Sequence, residues 1–234
     1  MLEIRKSADR GYANHGWLES RHSFSFAQYY DANHMGFGPL LVINEDRVNG
    51  GKGFGTHSHQ NMEIITYVLS GALEHKDSMG NTSILRYGDV QRMSAGTGVQ
   101  HSEFNHSSSE LVHFLQVWIK PNVQAIEPSY EEKHFDLASK TNQLRLIASV
   151  DGRNQSLTIH QDALLFAAVL NDSTPINYLI QPGRIIYLQL INGELCVNGV
   201  QLFTGDAIKL MDVESLIIEL VSEGAEILLF DIAS

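Results

Sequence analysis

The chain has 234 residues, 43% hydrophobic and 18% charged, enough to bury a full core and too apolar for a disordered chain. Its net charge of −11 at pH 7, with no basic run, weighs against direct nucleic-acid binding, because such a surface repels phosphate backbones. A single cysteine, Cys196, excludes an internal disulfide and a thiolate metal cluster within one chain.

The first residues, Met1-Leu2-Glu3-Ile4-Arg5-Lys6, are charged from the third position and hold no apolar signal core. Arg21-His22-Ser23-Phe24-Ser25-Phe26 alternates, which puts Phe24 and Phe26 on one strand face. Core packing is the expected role of that pair, with the wall of an aromatic pocket as the functional alternative. Leu40-Leu41-Val42-Ile43 and Ile64-Ile65-Thr66-Tyr67-Val68-Leu69 have strand length and β-branched content, as does Ile185-Ile186-Tyr187-Leu188 further on. Turn signals separate such runs: Ser70-Gly71, Met79-Gly80-Asn81, Gly88-Asp89, Asn192-Gly193 and Gly205-Asp206. Many short strands with regular turns predict an all-β protein of sandwich or barrel type. The best short helix is expected at Ser129-Tyr130-Glu131-Glu132, which fits a capping box. The polar segment Pro121 to Lys140 holds two of the five prolines and reads as a connection between two β units. Apolar stretches near the end are broken by Glu219, Glu223, Glu226 and Asp231, so no segment is expected to span a membrane. A cytoplasmic location is expected from the lone cysteine.

An internal repeat supports two units. Ile65-Thr66-Tyr67-Val68-Leu69-Ser70-Gly71 resembles Leu188-Gln189-Leu190-Ile191-Asn192-Gly193, and Gly88-Asp89-Val90 resembles Gly205-Asp206-Ala207.

The chemistry-bearing stretch is Gly51-Lys52-Gly53-Phe54-Gly55-Thr56-His57-Ser58-His59-Gln60-Asn61-Met62-Glu63. On a strand, His57 and His59 point to one face, and Glu63 keeps the same parity if the strand stays regular. A second stretch, Gly96-Thr97-Gly98-Val99-Gln100-His101-Ser102-Glu103, puts His101 and Glu103 on one face in the same way. Two such strands facing each other would close a site of three imidazoles and one carboxylate. That donor set suits iron, nickel, copper, manganese or zinc, and ligand type does not choose among them. Taken singly, His15, His22, His34, His75, His106, His113, His134 and His160 read as surface or hydrogen-bonded residues. No Gly-rich phosphate loop and no Gly-x-Ser-x-Gly elbow is present.

Gly51, His57, His59, Glu63 and Gly71 occupy the places of the first cupin motif, and Gly88, His101 and Asn105 those of the second. Ser94 stands where the general cupin pattern has proline. That departure, with Gly71 to Asn81 and Met93 to Gly98, resembles the pirin family, and its bacterial quercetinase-like branch in particular. The resemblance is dense from Arg21 to Ser107 and thin in the C-terminal half. It implies a bicupin of two β-barrel or jelly-roll domains, divided here as 1–130, metal-binding, and 131–234, cupin-like without ligands. The general cupin pattern would take Glu63 as the fourth ligand. The pirin pattern takes Glu103 with His57, His59 and His101, and is favoured as the more specific. One divalent transition metal per chain is expected, iron favoured. The implied activity is dioxygen-dependent cleavage of a flavonol such as quercetin (quercetin 2,3-dioxygenase), with Glu103 also as catalytic base. The alternative is a non-enzymatic, metal-binding regulatory or redox-sensing protein acting through a protein partner. Repeat offsets put Leu179, Gln181, Ile185, Ile218 and Leu220 at the ligand places of the second unit, so it is expected to bind no metal.

Overall fold

The computed structural model describes residues 1–234. In chain order the strands are β1 (Leu2–Arg5), β2 (Gly11–Asn14), β3 (Leu18–His22), β4 (Leu40–Val48), β5 (Gly53–His59), β6 (Glu63–Ser70), β7 (Ala72–Asp77), β8 (Thr82–Arg86), β9 (Asp89–Ser94), β10 (Val99–Asn105) and β11 (Val112–Ile119). They continue with β12 (Ser129–His134), β13 (Arg145–Ser149), β14 (Leu157–Thr158), β15 (Ala163–Leu170), β16 (Ile176–Leu179), β17 (Arg184–Asn192), β18 (Glu194–Val197), β19 (Val200–Phe203), β20 (Ala207–Leu210), β21 (Ser215–Leu220) and β22 (Ala225–Ala233). The one α-helix, α1 (Leu137–Lys140), is a single turn capped by the Asp136 carboxylate, which accepts from the Ser139 amide. No helix is long and apolar enough to cross a membrane.

The chain divides into two compact units. The N-terminal unit comprises 11–134 and 157–161, the C-terminal unit 1–10, 135–156 and 162–234. Set beside a division at residue 130, the first ten residues, 131–134 and 157–161 each go with the other unit. The expected helix at Ser129 is instead strand β12, paired antiparallel with β9 from Ser129↔Ser94 to His134↔Asp89. The open edge of β9 offers six residues a ladder, and that outweighs a local capping signal.

Each unit packs a larger sheet on a four-stranded one, the open two-sheet form of a jelly roll. In the N-terminal unit the sheets run β12-β9-β6-β11-β4-β3-β2 and β5-β10-β7-β8. In the C-terminal unit they run β1-β20-β17-β22-β15-β13 and β16-β21-β18-β19. Adding eleven to β9-β6-β11-β4 gives β20-β17-β22-β15, and adding eleven to the smaller sheet gives its counterpart, so the internal repeat is a repeat of topology. Its glycine pair does the same work twice. Gly71 (φ 77) and Gly193 (φ 89) turn β6 into β7 and β17 into β18. A Cβ at either would lie 2.5 or 2.2 Å from a backbone carbonyl oxygen, so no other residue fits.

Inside the C-terminal unit one apolar cluster, including Leu188, Ile208, Ile218 and Leu229, fills the space between the sheets. The N-terminal unit instead holds two smaller clusters, one around Val48, Val68 and Phe114, the other around Ile64, Met93 and Val99. Between them runs a row of polar side chains across five strands. The register places His22 opposite Asn44, Asn44 opposite Gln116, Gln116 opposite Thr66 and Thr66 opposite Gln91. All five are buried.

Candidate metal centre and cavity

His57 and His59 lie at the end of β5, and His101 on β10 sits directly opposite His57 in the ladder. Period-two alternation turns all three rings inward, and Nε2 of His101 lies 3.0 Å from Nε2 of His59 and 3.1 Å from Nε2 of His57. One proton on His101 cannot satisfy both neighbours. Metal–nitrogen bonds of about 2.1 Å at right angles put two donors about 3 Å apart, so three convergent lone pairs at this spacing suit a shared cation. His57 Nδ1 donates to the Gly55 carbonyl at 2.8 Å, which fixes the tautomer that leaves Nε2 free to ligate. Burial, then the facing His101 and His57, holds His59 down to about 4. Burial, then His57 and His75, holds His101 down to about 3. Both rings are therefore neutral at pH 7, the ligating form. The residues fit a divalent metal ion.

Glu103 is 2% exposed and follows a register shift in the β5 ladder, opposite Phe54. Its Oε2 accepts from Gln116 Nε2 at 2.7 Å, and the Thr66 hydroxyl, which lies 3.4 Å from its Oε1, donates to Gln116 Oε1 at 2.8 Å and so holds that amide in place. The donor atoms of His57, His59 and His101 fall within 4.8 Å of one another, while Glu103 makes such a group with His101 and His75. His75, unremarked in the sequence beyond a hydrogen-bonding role, is fully buried and bonded to Asp77 at 3.1 Å. Its ring centroid lies 5.3 Å from that of His101. Glu63 belongs elsewhere. The chain turns between β5 and β6, with Asn61 at φ 49, so the parity with His57 and His59 is broken. Glu63 accepts from Ser94 Oγ at 2.8 Å and meets His160 at 3.3 Å.

In the C-terminal unit, Ile218 stands where the offset puts His101, and its ladder partner is Ile176. The offset had pointed to Leu179 as the counterpart of His57, but Leu179 is 76% exposed at the strand end. Either way the position is apolar.

His57 and Glu103 open onto a cavity of about 830 Å³ walled by Trp17, Phe26, Tyr29, Phe54 and Trp118. Its floor is polar: Ser20, His22, Asn44, Asp46 and Gln116. That volume lies within the range of small-molecule sites. The aromatic pair of the sequence divides here. Phe24 is in the core, and Phe26 lines the cavity with its ring centroid 5.4 Å from that of Trp118.

Comparison with known proteins gives a consistent result. The family model described as Pirin matches residues 3–119, and the one described as the quercetinase C-terminal cupin domain matches 146–232. The chain is 46% identical over 233 residues to the quercetin 2,3-dioxygenase of Escherichia coli K12, covering 99% of both. It superimposes with a TM-score of 0.95 and 44% identity on the crystal structure of the bacterial pirin YhhW of Escherichia coli in complex with nickel(II), covering 100% of this chain and 99% of that one. Escherichia coli YhaK matches at a TM-score of 0.77 and 26% identity, over 96% and 98% of the two chains.

Proposed function

This chain belongs to the pirin family, a two-cupin protein, and on that premise we propose that it is a metal-dependent dioxygenase that cleaves flavonols such as quercetin. The carrying observation is the convergence of the His57, His59 and His101 imidazoles, with the buried Glu103 carboxylate grouped with His101, at one end of an aromatic-walled cavity. His57, His59 and His101 would hold the ion, with Glu103 as fourth ligand and catalytic base. Iron is the favoured metal, and the nickel(II) held by the related YhhW shows that other divalent ions are to be tested beside it. Bound there, the metal supplies Lewis acidity that lowers the pKa of a substrate hydroxyl.

The chain's own residues do the rest. Glu103 takes the proton of the flavonol 3-hydroxyl, while Gln116, itself held by Thr66, fixes one of its oxygens in place. Trp118, Phe26 and Phe54 clamp the planar rings and keep water from the electron-rich flavonolate. The flavonolate then takes up dioxygen. Both oxygen atoms are retained in the ester product, and the excised carbon leaves as carbon monoxide. The free thiol of Cys196 fits a reducing, cytoplasmic setting.

Aerobic turnover of quercetin with carbon monoxide detection tests the reading. Metal-loaded protein should release carbon monoxide, chelated protein should not, and one re-added metal should restore release. Equal turnover by chelated protein overturns the metal mechanism. No turnover by any preparation overturns the dioxygenase reading and favours a regulatory protein.

A further inference from the structure

The cavity has a second polar end that the proposed chemistry does not use. On β4, Asn44 is 4% exposed and faces the cavity. Its Oδ1 is taken by His22 Nδ1 at 2.8 Å, and that is the amide's one hydrogen bond, so its NH₂ donates to nothing in the protein. Its two donors face the cavity, where a ligand oxygen can accept from them. Two residues along β4 and on the same face, the Asp46 carboxylate accepts from the Ser20 hydroxyl and also lines the cavity. His22 is braced by rings, its centroid 5.3 Å from that of Phe26 and 6.3 Å from that of Tyr29.

Donor and acceptor therefore stand side by side. An aromatic hydroxyl both donates and accepts, and a vicinal pair of them matches an amide NH₂ beside a carboxylate. Strands lie about 4.8 Å apart, so Asn44 is one step and His22 two steps, about 10 Å, from Gln116, which grips Glu103. A planar aromatic of two or three rings spans that distance.

We infer that Asn44, with His22 and the Ser20–Asp46 pair, is a recognition subsite for hydroxyl groups on the substrate ring remote from the metal. The protein then selects polyhydroxylated planar aromatics over otherwise similar flavonols. The inference rests on the flavonol reading for the pose of the ligand, but it concerns binding and selection.

The test is calorimetric titration of nickel-loaded protein with quercetin and with 3-hydroxyflavone, which keeps the metal-binding oxygens and lacks the other hydroxyls. Wild type should bind quercetin at least about 5- to 10-fold more tightly, the worth of a neutral hydrogen bond or somewhat more. Asn44→Ala should lose most of that preference while changing 3-hydroxyflavone affinity less than about 2-fold. Asn44→Asp keeps an acceptor for His22 and removes the NH₂, so it should show the same loss if Asn44→Ala folds poorly. Equal wild-type affinity for both ligands, or parallel weakening of both in the variants, overturns the subsite. Carbon monoxide measured on the same samples separates the two readings. An Asn44-dependent preference without carbon monoxide release sinks the dioxygenase and keeps the subsite. Release from both flavonols, with Asn44→Asp indifferent between them, does the reverse. Binding of neither ligand sinks both.

Discussion

The two units share a strand order and differ in what they enclose. Across the larger sheet of the N-terminal unit runs the buried row His22, Asn44, Gln116, Thr66 and Gln91. Aligning Gly71 with Gly193 and Gly88 with Gly205, the corresponding row of the C-terminal unit is Phe166, Leu229, Leu188 and Ile208, in continuous register. On the smaller sheet, His57 opposite His101 becomes Ile176 opposite Ile218. The turns and ladders specify the frame, and the lining is free to be either a site or a core. Polar lining costs apolar burial, and the N-terminal unit retains it where ligands are to be held.

The largest effect that sharpens this contrast is loss of the ion. His101→Ala removes the ring whose Nε2 meets both other imidazoles, and elemental analysis should fall from one metal per chain to nearly none. Two metals per wild-type chain would instead break the contrast, by giving the C-terminal unit a site. Next come the two carboxylates. Glu103→Ala should weaken metal binding by about 10- to 100-fold or more in a competitive titration at fixed pH, against a much smaller change in Glu63→Ala. Glu63→Ala should cost stability instead, about 1–3 kcal/mol by urea unfolding, since it removes the best-placed acceptor of the buried Ser94 hydroxyl. A larger affinity loss in Glu63→Ala restores the general cupin choice of ligand.

Grafting the polar row onto the other unit should only do harm. Leu229→Gln, the counterpart of Gln116, buries an amide among leucines and isoleucines and should cost about 1–3 kcal/mol. Unchanged stability would mean that the C-terminal interior tolerates polar lining after all. A separate effect is the pH dependence of metal-free protein. His59 and His101 resist protonation down to about 4 and about 3, whereas unfolded histidines take a proton near 6.5. In that window the unfolded state binds more protons, so stability should fall as pH drops from about 6.5 towards 4. His101→Phe should flatten the slope. An equal slope in both proteins would remove these histidines as its source.

The clustering of His57, His59 and His101 is legible because strand period two acts over two residues, and β5 and β10 are regular where these residues lie. The condition set for Glu63, a regular strand, fails at the turn at Asn61, and the helix expected at Ser129 is strand β12 because a neighbour's open edge is invisible in local sequence. The polar row was missed for a related reason. Each member lies on a different strand, and only pairing brings them together. A signal was present, since Asn44 and Asp46 interrupt the apolar run from Leu40 at inward-facing positions.

Strand β1 pairs with β20, Leu2 opposite Leu210 and Arg5 opposite Ala207, occupying on that sheet the edge that β12 takes beside β9. During synthesis on the ribosome this has an order built into it. Strands β2 to β12 of the N-terminal unit are available once residue 134 has emerged, and 157–161 soon after, while residues 2–5 must wait for 207–210. Closing so long a loop is slow, and chain growth of about 5–20 residues per second leaves that strand unpaired for seconds. A tag fused ahead of Met1 would sit on a strand that finds its partner only after residue 210 has emerged, and far, in folding time, from the histidine cluster.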